Sequence, residues 1–140
     1  MSIALFPGSF DPFTAGHEAV LRRIVPLFER VYVAVGNNSA KHCMFSVEER
    51  VARIEKAVAD CSTVTVVSYD GMTIDLCHQV GAQVIIRGIR TAADFEYEQT
   101  IASVNRLQDP SIETLLVVAD AEHRDISSTL ERERLSHSTL

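Results

Sequence analysis

Tryptophan is absent from this sequence, and aromatic residues of every kind make up only 6% of it. Cysteine is scarce: Cys43, Cys61 and Cys77 are odd in number and widely spaced, with no C-x-x-C pair and no histidine at zinc-ligand spacing. That pattern argues against a disulfide framework and against a Cys/His metal site, and the three read as reduced thiols. Long hydrophobic runs are lacking too. No apolar stretch approaches the roughly 18 residues of a membrane span, and the N-terminus has no basic segment followed by an apolar stretch and a cleavage site. A cytoplasmic protein without membrane contact is expected. Excess positive charge is also missing, since 13 Lys and Arg against 19 Asp and Glu leave a net charge of −6. Broad contact with nucleic acid is therefore disfavoured, because phosphate backbones select basic surfaces. A small anionic ligand needs only a local cluster of cations.

What is present is a chain of 140 residues, 46% apolar and 23% charged, the balance of one globular domain. Its apolar runs are short and β-branched: residues 3–6, 31–35, 64–67, 84–86 and 114–118. Continuous runs of this kind predict strands buried on both faces, as in a parallel sheet. Segments with helical spacing lie between and after them, at 17–28, 47–59, 73–80, 92–107 and 127–135. Pro26 would shorten or kink the first, and Ser46 with Glu49 makes a capping box for the second. Five alternations of strand and helix predict a single α/β domain over residues 1–140, a doubly wound five-stranded parallel sheet with helices on both faces. Ligands in such folds sit beyond the carboxyl ends of the strands, so the loops that follow the strands are where chemistry is expected.

The first of these loops is "GSFDPFTAGH", residues 8–17. Gly8 and Gly16 allow close backbone approach, Ser9 offers a hydroxyl, and His17 falls in the first turn of the following helix, where free N–H groups and the dipole favour phosphate. It lacks the G-x-x-x-x-G-K-[ST] spacing of a P-loop. The second loop carries Lys41 as a mobile cation. In the fourth, "RGIRTAADFEYE", Arg87 and Arg90 leave the end of an apolar strand with Gly88 between them. They can clamp phosphate oxygens through planar forks, or pair instead with Asp94, Glu96 or Glu98. The fifth leads into "ISST", residues 126–129, where hydroxyls and N–H groups at a helix start suit phosphate or act as ordinary caps. All these groups fall on one sheet edge, so a polyphosphate ligand is the simplest occupant. No nucleophile stands paired with a base, which leaves positioning and electrostatic stabilisation of an in-line displacement at phosphorus.

Thr14-Ala15-Gly16-His17 resembles the T/HxGH signature of the nucleotidyltransferase superfamily, whose fold is Rossmann-like. Together with "KHCMFSVEER", "IIRGIRTAADFEYE" and "ISST", the chain from about residue 3 to residue 134 resembles the bacterial phosphopantetheine adenylyltransferases. That resemblance implies adenylyl transfer from ATP to 4'-phosphopantetheine, giving dephospho-coenzyme A and pyrophosphate in coenzyme A synthesis. It implies Mg2+ with ATP as substrate and a homo-oligomer, a hexamer; no residue of the chain is assigned as a metal ligand. It also implies roles. His17, Lys41 and Arg90 would be catalytic. Ser9, Phe10, His17, Gly88, Ile89, Arg90, Glu98 and the run His123, Arg124, Asp125, Ile126, Ser127, Ser128, Thr129 would hold ATP. Ser9, Lys41, Thr73 and Arg87 would hold the acceptor. The chain departs from the family pattern at Ser9, where threonine is common, at Cys43, where proline is common, and at His123 to Asp125, where aromatic residues are frequent. Its C-terminal helical segment is shorter than in many members. The competing expectations are another adenylyl- or cytidylyltransferase of the superfamily, or a non-catalytic nucleotide-binding protein.

Overall fold

The computed structural model describes residues 2–37 and 42–120. The β-branched runs form strands β1 (Ile3–Gly8), β2 (Arg30–Gly36), β3 (Val64–Tyr69), β4 (Val84–Ile89) and β5 (Glu113–Val118). They pair in parallel throughout, in the order β3-β2-β1-β4-β5. The helices between them are α1 (Ala15–Ile24), α2 (Val47–Ala57), α3 (Thr73–Val80) and α4 (Ala92–Gln108). This is the expected Rossmann-like, doubly wound sheet.

Alternation along the strands divides the core in two. Ala4, Phe6, Val31, Val33, Val35 and Ile86 meet Val20, Leu21 and Ile24 of α1 and Ile54 of α2 on one face. Leu5, Ala34 and Ile85 meet Ile74, Leu76 and Cys77 of α3 on the other. Both faces are buried, which is why the strands read as unbroken apolar runs rather than alternating ones. The three cysteines are free thiols.

Helix boundaries differ from the periodicity in ways with local causes. α1 begins at Ala15, because Thr14 caps it, and ends at Ile24 instead of running to residue 28. Pro26 lies in the 3-10 turn Val25–Leu27 that follows. α2 has the expected Ser46/Glu49 capping box and stops at Ala57, with Val58 as its cap. The helix expected at 127–135 lies outside the described residues.

The chain order matters most for function. β2 flanks β1 on one side and β4 on the other, so the winding direction reverses between β1 and β4. Open α/β sheets bind ligands at that reversal, outside the strand carboxyl ends.

Candidate active site

The loop leaving β1 is held by packing. Phe10 has φ +48°, a left-handed backbone. Its buried ring stands edge-on to Phe6, Phe13 and His17, with centroids 5.3, 5.5 and 5.1 Å away. A Cβ on Gly8 would lie 2.9 Å from the Phe10 Cζ. The glycine therefore makes room for this ring, and its backbone also lines both cavities described below.

Thr14 and His17 cap α1 reciprocally. The Thr14 hydroxyl accepts from the His17 N–H at 3.3 Å, and His17 Nδ1 accepts from the Thr14 N–H at 3.0 Å. An Nδ1 that accepts a main-chain N–H carries no proton, so the ring proton sits on Nε2. Burial, and then the positive charges of Arg87 and Arg90, hold the imidazole below its ordinary value of 6.5. His17 is thus a neutral donor with a fixed tautomer, lining a cleft of about 790 Å3.

Of the alternatives left open for Arg87, the ion pair forms. Its Nε and Nη2 donate to both Glu98 carboxylate oxygens at 2.8 Å, and its Nη1 donates to the Pro7 carbonyl. Glu98, expected on ATP, is 6% exposed and holds Arg87. Both residues line the cleft. The Arg90 N–H donates to Asp94 at 3.0 Å, and its Nε stands 3.8 Å from the same carboxylate. Gly88 brings β4 against α1, since a Cβ there would reach Val20 at 3.4 Å. Ile89 ends β4 beside it, half-buried.

A second cavity of about 260 Å3 adjoins the cleft and shares Pro7 to Ser9, Cys43, Arg87 and Glu98 with it. Thr73, expected on the acceptor, lines it, with its hydroxyl 3.2 Å from the Tyr69 hydroxyl. Asn105 lines it too and escaped the sequence reading. It is 8% exposed, and its side-chain amide makes no hydrogen bond among the described residues. The signal was available: Glu98, Ile101 and Asn105 share one face of α4, where an amide is out of place unless it meets a polar partner. Lys41 and the run from His123 to Thr129 lie outside the described residues. The structure thus brings together Ser9, Phe10, His17, Gly88, Arg87, Arg90 and Glu98 at one opening, with Thr73 in the annex.

Residues 5–134 match the family described as Cytidylyltransferase-like. The phosphopantetheine adenylyltransferase of Flavobacterium psychrophilum is 45% identical over 133 residues, covering 95% of this chain and 87% of that protein. The protein of the same name from Bdellovibrio bacteriovorus is 49% identical over 126 residues, covering 90% and 79%. Among solved structures, a bifunctional NMN adenylyltransferase/ADP ribose pyrophosphatase from Francisella tularensis superposes with a TM-score of 0.65 at 17% identity, over 98% of this chain and 42% of that one. A likeness at that identity speaks to the fold alone.

Proposed function

The chain belongs to the Cytidylyltransferase-like family and within it to the phosphopantetheine adenylyltransferases, and on that premise we propose how the cleft between β1 and β4 carries the reaction. The enzyme transfers the adenylyl group of ATP to 4'-phosphopantetheine. A phosphate oxygen of the acceptor bonds to the α-phosphorus, the bond from that phosphorus to the bridging oxygen breaks, and pyrophosphate leaves. The attacking oxygen is anionic at neutral pH, so no general base is required.

The observation that carries the mechanism is the His17 tautomer. With Nδ1 occupied by the Thr14 N–H, Nε2–H is the group left to donate to an oxygen of the five-coordinate phosphorus. A preorganised donor of this kind stabilises charge that develops in the transition state. Arg90 and Lys41 act with it on the phosphates. Ser9 lines both cavities and Phe10 follows it in the large cleft, so donor and acceptor meet at Ser9 in this reading. Gly88, Ile89 and the run His123 to Thr129 hold ATP in this reading. Arg87 faces the acceptor phosphate while Glu98 fixes its fork, and Glu98 reaches ATP only from that position. Thr73 and the Asn105 amide serve the pantetheine arm, whose own amides can satisfy the Asn105 side chain.

Magnesium enters as part of the substrate, on the triphosphate. Among the described residues no group of three or more His, Cys, Asp or Glu side chains is gathered to hold a metal. A cytoplasmic setting and a homo-oligomer, a hexamer, complete the reading. Val104 and Leu107 of α4 and Leu115 and Val118 of β5, 44–85% exposed, are the apolar side chains that assembly would cover. Among the described residues no helix is long and apolar enough to cross a membrane.

The decisive experiment incubates the protein with ATP, magnesium and 4'-phosphopantetheine, nicotinate mononucleotide or glycerol phosphate in parallel, and measures pyrophosphate and the adenylylated product. Dephospho-coenzyme A as the dominant product is expected. Preference for another acceptor, or ATP binding without turnover, would overturn the assignment.

A further inference from the structure

Arg50 is the most buried charged residue among those described, at 2% exposed. No salt bridge to it forms among the described residues. Its guanidinium donates instead to four main-chain carbonyls: Phe45 and Ser46 through Nε at 3.2 and 3.3 Å, Ser9 and Gly36 through Nη1 at 2.7 and 3.0 Å. Burying a cation is costly unless it is compensated; the Asp11 carboxylate, held below its ordinary value first by the Met44 N–H and in part by the Arg50 charge, offsets some of that cost without a direct ion pair. The guanidinium joins the end of β2, the entry to α2 and the loop after β1.

The Ser9 carbonyl belongs to the peptide whose N–H is that of Phe10. In a trans peptide the two groups point to opposite sides, so fixing the carbonyl on Arg50 turns the Phe10 N–H away from α2. That N–H makes no hydrogen bond among the described residues, and Ser9 and Phe10 both line the large cleft. The left-handed backbone at Phe10 is unfavourable for a non-glycine residue. It persists where the surroundings over-determine it, a situation found at functional sites. The surroundings do so from both ends. Arg50 holds Ser9, and the Asp11 carboxylate accepts from the Met44 and Phe45 N–H groups at 2.6 and 2.9 Å.

We propose that Arg50 is a positioning residue for adenylyl transfer: by holding the Ser9 carbonyl it presents the Phe10 N–H to the phosphate chain of the nucleotide. The proposal rests on the transfer reaction proposed above. Arg50→Lys keeps the charge but loses the planar fork that reaches several carbonyls at once. Its kcat is expected to fall about tenfold or more, the loss of a preorganised donor. Its affinity for inorganic pyrophosphate, titrated by calorimetry, should fall about fivefold, while the KM for 4'-phosphopantetheine stays within about twofold. Asp11→Asn, which loosens the same peptide from its other end, should move the same two readouts less. Wild-type kcat and pyrophosphate affinity in Arg50→Lys would overturn the proposal, as would a change confined to thermal stability. If Arg50→Lys does not fold, the same two readouts in Asp11→Asn decide. Failure of the wild-type chain to make dephospho-coenzyme A counts against the reaction, whereas the pyrophosphate titration still judges Arg50.

Discussion

Replacing His17 by alanine removes three things at once, and they can be measured apart. The first is the Nε2–H donor, worth about 2–4 kcal/mol of transition-state stabilisation, or roughly 30- to 1,000-fold in kcat. The second is the bond from the Thr14 N–H to Nδ1, about 0.5–1.5 kcal/mol of stability. The third is ring packing against Phe10 and Phe13, about 0.5–1.5 kcal/mol per pair. His17→Asn separates them, because its side-chain oxygen can replace Nδ1 in the cap and nothing replaces Nε2. Pyrophosphate release should be lost to a similar extent in both variants, while urea denaturation should show the cap bond regained in His17→Asn. The pH dependence follows from the same geometry. The folded-state pKa lies below the ordinary 6.5, so between the two values the unfolded chain binds more protons and stability rises with pH. That contribution is lost as pH falls from 6.5 through the folded value. Protonation of Nδ1 also sets two N–H groups against each other at Thr14, so kcat should fall on the same acid limb. Near-normal turnover in His17→Ala, or an acid limb unchanged in His17→Asn, would refute this account.

Gly8→Ala would drive a methyl to within 2.9 Å of the Phe10 ring; a stability loss of about 1–3 kcal/mol is expected, with a fall in kcat, and a variant of wild-type urea midpoint would show that the ring yields freely. Glu98→Gln leaves the Arg87 guanidinium without its counter-charge; urea denaturation should show a stability loss of about 1.5–3 kcal/mol at unchanged slope, and a smaller change would mean that Pro7 suffices. Asn105→Leu removes a buried amide with no partner among the described residues, so stability should hold or improve while the KM for 4'-phosphopantetheine rises severalfold; a KM change for ATP instead would reassign the second cavity. His78, and then Ser111, hold the Asp109 carboxyl down to about 2, below its ordinary 3.8. Its contribution is present above 3.8 and is lost as pH falls toward 2, so the Tm of wild type and Asp109→Asn should differ at pH 5 and converge near pH 2, and parallel curves would refute it.

Much of the fold was legible because burial on both faces leaves unmistakable runs, such as Val31 to Val35, and because Ser46 with Glu49 is a cap in residue type as well as position. The Thr14/His17 box was not, since histidine stands where glutamate or glutamine is the usual signal. Arg87 and Arg90 were legible as strand-end cations. Which acid each would meet depended on how α4 folds back over β4, and that no local pattern encodes. Arg50 stayed invisible because "VEER" at a helix start reads as a solvated face. Phe10 stayed invisible because phenylalanine gives no warning of a left-handed backbone. Both belong to the contact between the loop after β1 and the entry to α2, residues some forty positions apart.

The place of β1 in the sheet also sets when the cleft can exist. Of the five strands β1 is made first, and its second neighbour, β4, begins at Val84. During synthesis β1 and β2 can pair early, but the edge that will receive β4 stays open for about fifty residues more, on the order of several seconds at ribosomal rates. An unpaired, wholly apolar edge of that kind is an invitation to other chains. A nascent chain stalled before Val84 would thus expose its stickiest surface where the finished enzyme keeps its active site, so aggregation and loss of function should share one origin.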